Sequence, residues 1–132
     1  MRCNEQYGAG LKIRREVLGD EYVERAMTGA DDFTGELQEF LNGNCWGYAW
    51  TREGIDRRTR SLVTLAILGT LGRVNELKAH TLGALRNGCT PGEIKEVLLH
   101  VAVYAGAPAA VDAFRAAQPV VSDFRDSSVG GR

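Results

Sequence analysis

The chain reads as all-α, and three observations carry that reading. Apolar residues recur at three- and four-residue spacing, whereas the alternation of a half-buried strand is nearly absent. Residues that start and stop helices bracket the periodic runs. The three prolines, at 91, 108 and 119, fall as punctuation between them.

The elements follow in order. A first helix runs from about Gly10 to Leu18 and stops at Gly19, and a short second one covers Glu21 to Met27. Asp31 or Asp32 caps a third that reaches about Leu41, where Asn42-Gly43-Asn44 is expected to end it. Cys45 to Thr51 then carries Trp46, Tyr48 and Trp50. Asp56 is a plausible N-cap for the longest apolar helix, Arg57 to Leu71, which should be central and buried. Gly72 breaks it, Arg73 to Arg86 form the next helix, and Asn87-Gly88 stop that one. Thr90-Pro91-Gly92-Glu93 is a capping box with proline at the first helical position, opening a helix to about Ala105. After Gly106-Ala107-Pro108 a last helix spans Ala109 to about Phe124. The Ser/Gly-rich stretch 126–132 is expected to be a disordered tail, leaving one domain over 1–125.

Composition excludes several classes. The chain has 132 residues, 44% apolar and 25% charged, with a net charge of −1, which gives no nucleic-acid footprint. Its longest apolar run, Leu62 to Leu71, falls short of the ~18 residues of a membrane span, and the N-terminus lacks the apolar segment of a secretory signal. Cys3, Cys45 and Cys89 are widely spaced and form neither a CxxC pair nor a metal-ligand cluster, which points to a reduced, cytoplasmic protein.

The candidate chemistry sits on a polar row. The two histidines, His80 and His100, both fall inside apolar helical runs. Arg73, Glu76 and His80 are spaced i, i+3, i+7, so they can touch along one helix face. Glu76 beside His80 would orient the imidazole and raise its pKa, making it a proton donor near neutral pH. Arg73 or Arg60 could hold a carboxylate. A solvated face with an ordinary Glu–His pair is the plainer alternative. His100, near Glu93, Glu96 and Tyr104, fits an interface as well as a pocket. Trp46 and Trp50 could wall a pocket, or belong to a core or oligomer interface. Arg57, Arg58 and Arg60 crowd a helix N-terminus, where cations oppose the macrodipole. At least one of them should therefore have a partner elsewhere, a carboxylate side chain or an anionic ligand, and Arg60 is the expected one.

At these residues the chain resembles the carboxymuconolactone decarboxylase family, within the larger group that includes the alkylhydroperoxidase AhpD. The matching stretches are RREVLGDEYV (14–23), DFTGELQE (32–39), Trp46-Gly47, WTREGIDRRTRSLVTLAIL (50–68), ELKAH (76–80) and NGCTPGEIKEVLLHVAVYAGAPAA (87–110). The resemblance implies an AhpD-like helical bundle around a central helical hairpin. It also implies a homo-oligomer, a hexamer or trimer, with the active site near a subunit boundary. Peroxidase-like relatives carry CxxC just ahead of a histidine matching His80. Here Arg73 and Glu76 stand at both thiol positions, which argues against thiol–disulfide chemistry.

The implied reaction is decarboxylation of 4-carboxymuconolactone to the β-ketoadipate enol-lactone in aromatic-acid catabolism. The substrate is a lactone dicarboxylate whose electrons can flow through the ring alkene to the lactone carbonyl, so no metal, thiamine or pyridoxal cofactor is required. Together with the helical spacing, the implied chemistry assigns catalysis to His80, Glu76 and Arg73, and substrate binding to Arg60, Trp46, Trp50 and His100. A thiol peroxidase, a non-catalytic oligomeric binding protein and a decarboxylase or isomerase of a related lactone stay open.

Overall fold

The computed structural model describes residues 2–130, with side chains from 4 to 127. Its elements are α1 (Arg2–Leu18), α2 (Asp20–Thr28), α3 (Gly35–Phe40), a π-helix (Leu41–Ala49), α4 (Arg57–Leu71), α5 (Val74–Arg86), α6 (Pro91–Ala105) and α7 (Ala107–Gly130). Among the described residues there is no strand. The chain divides into two compact units, Met1–Asp56 and Arg57–Arg132.

The first unit is built around α1 and the π-helix. Two glycines let their backbones meet. A Cβ on Gly10 would lie 2.0 Å from the Asn42 carbonyl oxygen, and one on Gly47 would lie 2.3 Å from that of Gln6. Asn42-Gly43-Asn44 does not end a helix here; the chain passes through it into the wider π turn. The physical reason is tertiary. Asn42 is fully buried and its Oδ1 accepts a 2.9 Å bond from the Arg14 guanidinium, while its Nδ2 donates to the Tyr7 hydroxyl. The Gln6 amide donates to the Gly43 carbonyl. Asp31 does not cap α3 directly. It accepts from the amides of Phe33 and Thr34, closing the turn ahead of the helix, and those bonds hold its carboxyl below the usual range.

The second unit packs α4, α5, α6 and α7 around an aliphatic core that includes Leu65, Leu77, Leu85, Ile94 and Leu98. Gly72, at φ +72°, makes the break that turns α4 into α5, a conformation in which a side chain would be strained. The Thr90 capping box forms as the sequence predicts: Thr90 Oγ1 accepts from the Glu93 amide at 3.0 Å and the Glu93 carboxylate accepts from the Thr90 amide at 2.9 Å. Pro119 does not punctuate; it lies inside α7, where it removes one amide donor and leaves the helix continuous. α7 runs on through Asp126 to Gly130, where composition predicts a tail, and Gly131 and Arg132 lie outside the described residues.

Candidate active site on the α4–α5 hairpin

α5 carries Arg73, Glu76 and His80 with unequal burial. Arg73 is the N-cap, outside the helix proper and exposed. Glu76 sits exposed in the first turn, where its charge suits the macrodipole. His80 is partly buried, beside the buried Leu77, Thr81 and Ala84. The three residues therefore climb from solvent towards the core and do not share one buried face.

This geometry reverses the expected titration. Burial pushes the His80 imidazole down to about 4, and the Glu76 carboxylate opposes that shift only in part. Desolvation penalises the imidazolium more than an exposed carboxylate can repay. The ring is therefore neutral at physiological pH, not the ready proton donor that the Glu76 spacing predicts.

The hairpin also fixes where the arginines stand. The Asn87 amide at the end of α5 donates to the buried Ser61 hydroxyl near the start of α4 at 2.9 Å. Leu77, near the start of α5, comes close to Gly69. The helices are thus antiparallel, with Arg60 beside the Asn87 end and Arg73 at the turn. Along α4 that separates them by about 17 Å, with His80 at intermediate height. At the α4 N-terminus the Arg58 guanidinium pairs with the Glu93 carboxylate at 2.5 Å. The Thr90 amide and Arg58 together hold that carboxyl below its usual range.

His100 is exposed on α6, its ring 4.8 Å from that of Tyr104. It lines a groove of about 640 Å³ with Leu62, Ala66, Glu96 and Val97, which His80 does not line. In the first unit, Trp46 and Trp50 are buried and stacked, with ring centroids 4.8 Å apart.

A helical bundle of this build matches one family model over residues 35–119: "Carboxymuconolactone decarboxylase family". The chain belongs to this family. It is 42% identical to a 4-carboxymuconolactone decarboxylase from Acinetobacter baylyi, across 94% of this chain and 92% of that protein. It is also 42% identical to the nitrosuccinic acid decarboxylase npaB of Metarhizium robertsii, across 91% of this chain and 84% of that one. A shorter match, to an uncharacterized 15.0 kDa protein of Paracoccus denitrificans, is 32% identical over 59% of this chain.

In this family member Cys45 and Cys89 form no disulfide among the described residues, and the Cys89 thiol donates to the Arg58 carbonyl. Cys89 thus belongs to the staple joining the starts of α4 and α6. Arg14 is a further residue that spacing does not reveal. It is 4% exposed, and its Nη1 donates to Gln38 and Asn42, both neutral. Burial lowers its pKa. No helix among the described residues is long and apolar enough to cross a membrane.

Proposed function

We propose that this protein is a cofactor-free carboxy-lyase that converts 4-carboxymuconolactone to the β-ketoadipate enol-lactone in aromatic-acid catabolism, working as a cytoplasmic homo-oligomer. The observation that carries this reading is the 42% identity to a 4-carboxymuconolactone decarboxylase over nearly the full length of both chains. Large exposed apolar side chains on the second unit, Val63, Ile67, Leu71, Leu99 and Val103, support the oligomer.

The chemistry divides into three tasks. Loss of CO2 breaks the bond from the ring carbon to its carboxylate and leaves the electron pair conjugated with the lactone carbonyl, as a dienolate. A proton must then reach the carbon next to that carbonyl. Arg73 and Arg60 meet the carboxylates by charge-assisted hydrogen bonds, which for one chain requires both side chains to fold towards the middle of the hairpin. His80 delivers the proton. In the free protein its ring is neutral. A dianion beside it favours the imidazolium, so the ring takes up its proton together with the substrate and returns to neutral after transfer. Glu76 orients the ring.

A second reading rests on the equally similar relative named for nitrosuccinic acid. Nitrosuccinate and 4-carboxymuconolactone share a design: one carbon bears the departing carboxylate, a carboxymethyl arm and an oxygen-terminated electron sink. In one case the sink is a nitro group, in the other an alkene conjugated to a carbonyl. The common class is a substituted succinate whose carbanion is stored on oxygen. Turnover of both compounds, followed by CO2 release and product NMR, separates the readings. The lactone should exceed nitrosuccinate in kcat/KM by tenfold or more; the reverse order would put the second reading first, and turnover of neither would remove both.

A further inference from the structure

We infer that the groove between α6 and the C-terminal half of α7 is a second ligand site, which takes an amphiphilic monocarboxylate. Its volume is about 420 Å³. The floor is apolar: Ile94, Leu98, Phe114, Ala117 and Val121 line it, and Ile94 and Leu98 are almost fully buried. The polar lining consists of two cations, Lys95 and Arg125, and two neutral groups, Gln118 and Ser122, that can also donate hydrogen bonds. No acidic side chain of the described residues lines the groove.

The positions follow from helical register. Gln118, Ser122 and Arg125 are spaced i, i+4, i+7, so they form one stripe on α7 alongside the apolar stripe of Phe114, Ala117 and Val121. Lys95 faces this stripe from α6. Two cations thus flank a hydroxyl at the edge of an apolar trough. Lys95 and Arg125 form no ion pair with a carboxylate of the described residues, so their charges are available to a ligand at the groove. A ligand carboxylate would complement these two cations, and the apolar floor selects one that carries a hydrocarbon body. None of the residues assigned to decarboxylation lines the groove.

Octanoate and its neutral isostere octanamide are suitable probes, titrated calorimetrically against the full chain. The acid should bind at least tenfold more tightly than the amide. The double variant Lys95→Gln/Arg125→Gln should lose a further tenfold or more for octanoate only, and both positions are exposed, so folding should survive. Gln118→Trp, which fills the groove from its rim, should abolish binding of both probes. His80→Ala should bind octanoate like the wild type, which keeps this test separate from that of the decarboxylase. Equal affinity for acid and amide, or an unchanged affinity in the double variant, overturns the site. So does a change of oligomeric state in Gln118→Trp without octanoate binding to the wild type, which would make the groove a contact between copies. Loss of 4-carboxymuconolactone turnover in the double variant would overturn its separation from the catalytic residues.

Discussion

The two units of the chain solve the same problem by opposite means. In Met1–Asp56, backbone meets backbone at Gly10 and Gly47, and a buried arginine is held by neutral amides. In Arg57–Arg132, aliphatic side chains fill the space between four helices. The first arrangement tolerates no added atom and specifies a single geometry. The second averages over many small contacts and gives way gradually. The difference teaches where rigidity is built in: the π-helix is fixed by polar groups, and the hairpin with His80 rests on an oily, adaptable core.

The sharpest way to break this contrast is Gly10→Ala. A methyl there overlaps backbone atoms of Asn42 and Gly47 at 2.0–2.7 Å, so the backbones must separate. A loss of about 3 kcal/mol or more is expected, with hydrogen-exchange protection falling first in the first unit. Asn42→Ala comes next, at about 2–4 kcal/mol, because it leaves the buried Arg14 guanidinium with Gln38 as its remaining partner. Leu65→Ala, in the aliphatic core, costs a similar amount through a cavity instead, and its effect should shrink when neighbouring side chains are enlarged. Polar loss in the first unit should not be rescued that way.

A smaller effect is tied to pH. His80 is held near 4 in the folded chain, below its ordinary value of 6.5. The unfolded chain therefore binds the extra proton first. Stability contributed by the neutral ring is present above about pH 6.5 and is lost as pH falls towards 4, by roughly 2–3 kcal/mol. Denaturation midpoints across this range should flatten in His80→Gln. The smallest effect is expected from Gly69→Ala in the second unit. Its Cβ meets Val101, Ala113 and Leu77 at ordinary distances of 3.5–3.7 Å, so the change should be neutral or stabilise α4 by up to about 1 kcal/mol. Equal damage from Gly10→Ala and Gly69→Ala would erase the contrast between the units.

The second unit was the more legible in sequence. Gly72, Asn87-Gly88 and the Thr90–Glu93 box act within a few residues, so local chemistry announces where α4, α5 and α6 begin and stop. The π-helix was hidden because its cause lies far away in the chain: Asn42 continues a helix, against its local habit, to receive Arg14. The same distinction runs through the candidate site. Spacing identifies Arg73, Glu76 and His80 as one row, but the sign of the His80 shift depends on burial, which spacing does not report. Likewise the crowding of arginines at α4 announces an anionic partner, but only packing brings Glu93 to Arg58.

One measurement addresses the decarboxylase reading most directly: kcat of His80→Gln on 4-carboxymuconolactone, in protein whose assembly and folding match the wild type. General acid–base help is worth ~10²–10⁴-fold, so a loss of that size, with KM little changed, is the predicted result. A variant that turns over the lactone at the wild-type rate would contradict the assignment of the proton to His80.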